Sequence, residues 1–138
     1  MVKKSNSFDF AIVGGGIVGL SCAYKLQVEY PQLNIAVFEK EQTLAAHQTG
    51  RNSGVIHSGL YYRTGSFRAK NCVNGRKQLI EFAKKYNIKH DVCGKVVVAV
   101  NQDEEDRLDK ICETGKANGL EGIEKIDAVR LKEIEPYV

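Results

Sequence analysis

Phe10-Ala11-Ile12-Val13-Gly14-Gly15-Gly16-Ile17-Val18-Gly19, followed twenty residues after its last glycine by Glu39, decides the fold class of this chain. The apolar run before Gly14 predicts a buried parallel strand. Ile17 to Glu29 predicts a helix, with Leu20, Ala23, Tyr24 and Leu26 available for packing. Ile35-Ala36-Val37-Phe38 predicts a second strand that ends at Glu39. Three spaced glycines alone are a weak signal, but strand, glycine turn, helix, strand and terminal acid in this order make a Rossmann-like dinucleotide-binding βαβ unit. The fold class is therefore α/β.

Each glycine meets a separate demand: Gly14 allows a sharp turn, Gly16 a close backbone approach to a pyrophosphate, and Gly19 close packing of helix on strand. The unpaired N–H groups and the positive dipole end at the start of the helix attract an anion, so the turn needs no basic side chain. Glu39 is placed to accept hydrogen bonds from ribose hydroxyls and would repel a 2′-phosphate, which favours FAD or NAD over NADP. Gly14, Gly15, Gly16, Ile17, Val18, Gly19, Glu39 and Lys40 are the candidate cofactor-binding residues of this unit.

The 138 residues suffice for about one domain with a hydrophobic core, which is short for a flavoenzyme. Twenty basic and 17 acidic side chains give a net charge of +3, and they are interspersed, so no patch argues for nucleic acid. Lys3-Lys4 reads as a solvated tail. Cys22, Cys72, Cys93 and Cys112 stand apart with no CxxC pair, which fits free thiols better than a zinc site or a redox dithiol, and no metal site is expected. The longest apolar stretch, Val96 to Val100, falls far short of the ~20 residues that span a bilayer. With no signal-peptide pattern at the start, the expectation is a cytoplasmic protein, with peripheral docking at the inner membrane left open.

Residues 45 to 65 are small and polar without periodicity and predict a long loop, the kind of segment that is often functional. A helix is predicted from Phe67 to Tyr86, capped by Ser66 and weakened by Gly75, which could serve close packing against another backbone. After the turn Cys93-Gly94, the β-branched run Lys95 to Val100 predicts a strand. Asp103 is the candidate cap of a helix that Asn118-Gly119 stops, and the acidic run 103–106 suits the helix dipole. A short strand near Ile123 to Ile126 and a last helix capped by Asp127 complete the expectation, with Pro136 ending that helix near Glu135.

Within the loop stands His47-Gln48-Thr49-Gly50-Arg51-Asn52-Ser53-Gly54-Val55-Ile56-His57-Ser58-Gly59-Leu60-Tyr61-Tyr62. On composition alone a solvated turn of small residues remains the alternative. Together with the glycine turn, however, this segment resembles the FAD-dependent oxidoreductases of the D-amino-acid oxidase and glycerol-3-phosphate dehydrogenase superfamily. Within it the likeness is to the L-2-hydroxyglutarate oxidase/dehydrogenase family, and Cys93-Gly94-Lys95 opening a strand is similar too. The resemblance implies FAD as the cofactor and 47–59 as a second flavin-contacting segment. Gly50 and Gly54 would allow close backbone approach, and Arg51, Asn52 and Ser53 offer donors to pyrophosphate, ribityl or ring oxygens. His57 is the candidate flavin neighbour; a catalytic-base role and a plain loop histidine are its two other readings. Tyr61 and Tyr62 could flank a planar ring or fill the core. His47 and His90 have no metal-ligand spacing.

The implied activity is oxidation of a small 2-hydroxy acid, L-2-hydroxyglutarate, to the 2-oxo acid by hydride transfer to flavin, with oxygen or a quinone as electron acceptor. A non-catalytic dinucleotide-binding module, and a related enzyme acting on glycerol 3-phosphate or an amino acid, are the alternatives. The resemblance also divides the chain into the N-terminal part of a FAD-binding domain, 1–86, and the start of an α+β substrate domain, 87–138. On that expectation the chain is a truncated portion whose later strands are missing.

Overall fold

The computed structural model describes residues 7–138, so the expected Lys3-Lys4 tail lies outside it. Two compact units are present, one through Val55 and one from Ile56.

The first unit is the βαβ arrangement. Strand β1, Phe10–Val13, runs into helix α1, Ile17–Glu29, which returns to strand β2, Ile35–Phe38. The strands are parallel, with Phe10 opposite Ile35 and Val13 opposite Phe38. The Gly14 N–H donates to the Phe38 carbonyl at 2.8 Å, so pairing continues one step past β1. At the far end Asp9 and Asn34 close the sheet: the Asp9 N–H donates to the Asn34 carbonyl at 2.9 Å, and the Asn34 N–H to the Asp9 carboxylate at 2.8 Å. Gly14 and Glu39 therefore emerge side by side beyond the carboxyl ends of the two strands. All three elements begin and end where the sequence pattern puts them, but β1 is not the buried strand expected: Phe10, Ala11 and Val13 are exposed, because only β2 and α1 pack on it among the described residues.

The second unit holds helices α2, Phe67–Lys85, α3, Gln102–Ala117, and α4, Ala128–Ile134. Ser66 caps α2 through its hydroxyl on the Ala69 N–H, and Asp127 caps α4 through its carboxylate on the Arg130 N–H, both as expected. The cap of α3 is Asn101 rather than Asp103: its Oδ1 accepts from the Glu104 N–H at 3.0 Å. Glu104 reaches back to the Val100 N–H at 2.9 Å, so the two side chains satisfy each other's end of the first turn. Asp103 sits inside that turn, where its charge suits the dipole.

Neither Val96 to Val100 nor Ile123 to Ile126 is a strand. The two-stranded sheet of β1 and β2 is the only sheet among the described residues, and a β-branched run without a neighbouring strand has nothing to accept or donate its ladder bonds. The expected α+β character of the second part is thus helical in the described residues. Gly75 does not serve close packing: a side chain there would meet nothing within 4 Å. Among the described residues the buried apolar ones are Ala69, Ala83 and Leu120, all in the second unit.

Candidate functional site

In the glycine turn, Gly14 has φ +105°, a conformation L side chains rarely adopt. A Cβ on Gly19 would run into the Gly14 carbonyl oxygen and lie 3.3 Å from the Ile12 side chain, so helix and strand touch backbone to backbone there. Gly16 is the N-cap of α1 and has no side chain with which to cap it. Thr49 does this from 32 residues away: its Oγ1 accepts the Ile17 N–H at 2.9 Å, and a Cβ on Gly16 would sit 3.2 Å from the same oxygen. The N–H groups of Val18 and Gly19 make no hydrogen bond among the described residues, and Val18 is 81% exposed. No acidic side chain lies in the first turn of α1. This helix start can receive an anion.

Glu39 leans across the turn. Its Oε2 accepts the Gly15 N–H at 2.6 Å and its Oε1 the Glu41 N–H at 3.0 Å. The Glu41 N–H first and the Gly15 N–H second hold the Glu39 carboxyl below the usual carboxylate range. Its negative charge is therefore fixed beside Gly15, at the end of β2. Lys40 is exposed and pairs with Glu41 at 3.3 Å, and His47 meets the same Glu41 oxygen at 2.8 Å. These partners lower the Glu41 carboxyl as well, the His47 hydrogen bond being the larger cause.

The loop from Glu41 to Gly54 is folded over the turn. The Ala45 N–H donates to the Gly15 carbonyl at 3.0 Å, and Ala45 adopts φ +59° to do so. Gly15 is buried; a side chain there would strike Leu44 at 2.5 Å and the Glu39 carboxylate at 3.0 Å. Gly50 packs against the Ala45 carbonyl oxygen. Asn52 uses its side chain within the loop, donating to the Gln48 and Thr49 carbonyls at 3.0 and 2.8 Å and accepting the Gly54 N–H at 2.7 Å. Arg51 and Ser53 are exposed, and their side chains make no hydrogen bond among the described residues. Gly54 has φ +66° with open space around it.

His57 belongs to the second unit and is exposed. Its carbonyl accepts from the Cys72 thiol of α2 at 3.3 Å. Gly59, with φ +94°, is buried against Val73 and Cys72 of α2. Tyr61 is exposed beneath the Lys95 ammonium at 4.5 Å, and Tyr62 is half-buried with the Arg68 guanidinium 5.7 Å from its ring centre, so neither fills a core. His90 turns Nδ1 to the Ile88 carbonyl at 2.8 Å.

Glycine turn, Glu39, Lys40 and residues 50–54 thus lie in one compact unit, with His57 in the other. Sequence reasoning missed Leu44 and Ala45 over Gly15, and it had Thr49 within the 47–59 segment but missed it as the cap of α1. The signal for Thr49 was a helix whose N-cap position is glycine with no hydroxyl or amide nearby in sequence: such a start needs a cap from elsewhere. The set of groups suits a dinucleotide diphosphate: open amides at a helix start as donors, an acceptor carboxylate at the end of the second strand, and glycine where the backbone must come close.

A family model described as FAD dependent oxidoreductase matches residues 9–138. The mitochondrial L-2-hydroxyglutarate dehydrogenase of Homo sapiens is 50% identical over 134 residues, which cover 97% of this chain and 29% of the relative. That of Pongo abelii is also 50% identical over 134 residues, covering 97% of this chain and 32% of the relative. The L-2-hydroxyglutarate dehydrogenase of Indibacter alkaliphilus is 47% identical over 130 residues, 94% of this chain and 33% of the relative. The chain spans about a third of the length of the curated relatives it matches.

Proposed function

This chain belongs to the FAD-dependent oxidoreductase family, and from that premise we propose that it forms the flavin-binding end of an enzyme oxidising L-2-hydroxyglutarate to 2-oxoglutarate. The observation that carries the substrate is the identity of about half to L-2-hydroxyglutarate dehydrogenases across nearly all of this chain. In this reading residues 1–86 belong to a FAD-binding domain and 87–138 open a substrate domain.

The α1 start holds the pyrophosphate through its open amides, while Gly14 and Gly16 let the backbone come close. Glu39, kept ionised by its two N–H partners, accepts from the adenosine ribose. Lys40 lies beside it. Gly50, Arg51, Asn52, Ser53 and Gly54 form the second wall: Asn52 holds the loop's shape from within, which leaves the exposed Arg51 and Ser53 side chains as donors to the cofactor. Bound there, FAD would supply the hydride acceptor for the substrate carbon. His57 is the flavin-side histidine and the candidate base for the substrate hydroxyl.

The electron acceptor in this proposal is oxygen or a quinone. Among the described residues no helix is long and apolar enough to cross a membrane; where a quinone accepts, docking at the membrane surface is the proposed route. The proposed location is cytoplasmic, at the inner membrane where a quinone accepts; the printed names of the human and Pongo abelii relatives say mitochondrial.

An absorbance spectrum of the purified chain mixed with FAD, followed by anaerobic L-2-hydroxyglutarate, tests the proposal. Bound flavin that bleaches supports it. Flavin that binds and stays oxidised with this acid, and bleaches with glycerol 3-phosphate or an amino acid, moves the substrate. Flavin that binds and bleaches with none leaves a dinucleotide-binding module. In an active full-length enzyme that carries this segment, His57→Ala should slow flavin reduction by about a hundredfold or more if His57 is the base; an unchanged rate removes it from the mechanism.

A further inference from the structure

We propose that Asn118, at the C-terminal end of α3, is a positioning residue for the end of the flavin-facing segment, His57 to Gly59, and the turn to Tyr62 that follows it. Its Nδ2 donates to two carbonyls of that segment, Gly59 at 3.2 Å and Tyr62 at 2.8 Å, reaching back 59 and 56 residues along the chain. One amide group thereby fixes both ends of a single turn, since the Tyr62 N–H also donates to the Gly59 carbonyl at 3.3 Å. One helical turn earlier on α3, Gly115 is buried; a Cβ there would strike the Leu60 side chain at 2.6 Å and that of Ile123 at 2.5 Å. Positions 115 and 118 lie on one face of the helix. The glycine makes room for Leu60, and the asparagine holds the carbonyls on either side of it.

Helix α2 supplies the Cys72 thiol to the His57 carbonyl, and Val73 and Cys72 to Gly59. The segment from His57 to Tyr62 is therefore held by α2 and α3 together. His57 is the only imidazole in it, and its backbone is anchored while its side chain stays exposed.

The Asn118 side chain is not needed to end α3. The Leu120 N–H donates to the Gly115 carbonyl and the Gly119 N–H to the Lys116 carbonyl, with Gly119 at φ +79°. This is the two-bond backbone closure that terminates a helix unaided. The Asn118 side chain is thus available for the turn, where its two contacts are both made as a donor, and its Oδ1 is buried with no hydrogen-bond partner among the described residues. Leucine at 118 would match the shape and remove both donors; glutamine would keep the amide on a longer stem.

The positioning role rests on the flavin reading above, and the test separates the two. Amide exchange at Tyr62 is measured in the chain as it stands, beside the Gly119 and Leu120 amides that report on the end of α3, with the His57 ring resonances followed in the same samples. Asn118→Leu should speed Tyr62 exchange about tenfold or more and shift the His57 ring, while the Gly119 and Leu120 amides change little. Asn118→Gln should recover part of the protection. If Asn118→Leu does not fold, Asn118→Ala removes the same donors and is read identically. Equal loss of protection at Tyr62 and at the α3 end, or an unmoved His57 ring, overturns the proposal. FAD titration followed by visible circular dichroism forms a separate arm. A wild-type chain that shows no flavin signal counts against the flavin reading alone, because exchange and the His57 ring still decide the role of Asn118. A wild-type signal that Asn118→Leu leaves unchanged overturns the positioning of the flavin-facing segment.

Discussion

At the scale of single residues, the Gly14 and Gly19 backbones show how close packing makes a glycine obligatory. A methyl at 19 meets a carbonyl oxygen that belongs to the turn itself, so neither partner can rotate away. Gly19→Ala is expected to destabilise the first unit by about 1–3 kcal/mol, the usual range for overpacking, and to lower FAD affinity with it; denaturant titration alongside flavin binding checks both. Glu39 carries a pH dependence of known sign. Its folded carboxyl lies below the ordinary value of 4.5, so its contribution to stability is complete above that value and is lost as pH falls through the lowered one. Amide exchange at Gly15, compared with other amides of the unit at each pH, should lose protection on acidification below that window. Glu39→Gln should flatten this response and weaken FAD binding by roughly tenfold, as for a lost hydrogen bond to a charged group. Spacing alone made the glycines and Glu39 legible. Thr49 was not legible as a cap, because a loop threonine becomes one only when the chain folds back across 32 residues, and local pattern does not report such a return.

At the scale of elements, β1, α1, β2, α2 and α4 could be read because each carries its own punctuation: a glycine turn, a terminal acid, or a serine or aspartate cap. Val96 to Val100 shows the limit. Its composition is that of a strand, but strand formation depends on a partner that a linear pattern does not specify, and none stands beside it here. The start of α3 was misplaced by two residues for a related reason: Asn101 and Asp103 are both good caps, and the Glu104 to Val100 bond decides between them. Asn101→Ala should destabilise α3 by about 1 kcal/mol, read as a fall in thermal midpoint together with fraying of the first-turn amides. Asp103→Ala should leave that cap intact.

At the scale of the whole molecule, the described residues bury few apolar side chains. The first unit's buried residue is Gly15; the second buries Ala69, Ala83 and Leu120 with two glycines. Large apolar side chains remain open in both, among them Val13 at 88% and Phe67 at 83% exposure. Such surface predicts strong binding of a hydrophobic dye and marginal cooperativity in thermal unfolding. It also predicts that FAD, by binding the folded first unit, stabilises it by about 2.7 kcal/mol at a hundred times its dissociation constant; a melting transition indifferent to FAD would speak against the site. Family membership was legible from two short glycine-bearing segments, whereas the division into two units at Val55 and Ile56 was not, because it follows from contacts rather than from any change in composition. The parallel register of β1 on β2 has one more consequence, for how sequences of this kind can change in length. Val13 opposite Phe38 sets Gly14 level with Glu39, so a residue gained or lost between 10 and 19, or between 35 and 39, would move the turn past its acid and point alternate side chains the wrong way. The turn at Pro31-Gln32 lies at the opposite end, outside the Asp9–Asn34 clasp, and lengthening it disturbs neither. A scan of single-residue insertions should therefore find tolerance concentrated there, and functional descendants of this unit should differ in length at that turn and nowhere else in the βαβ frame.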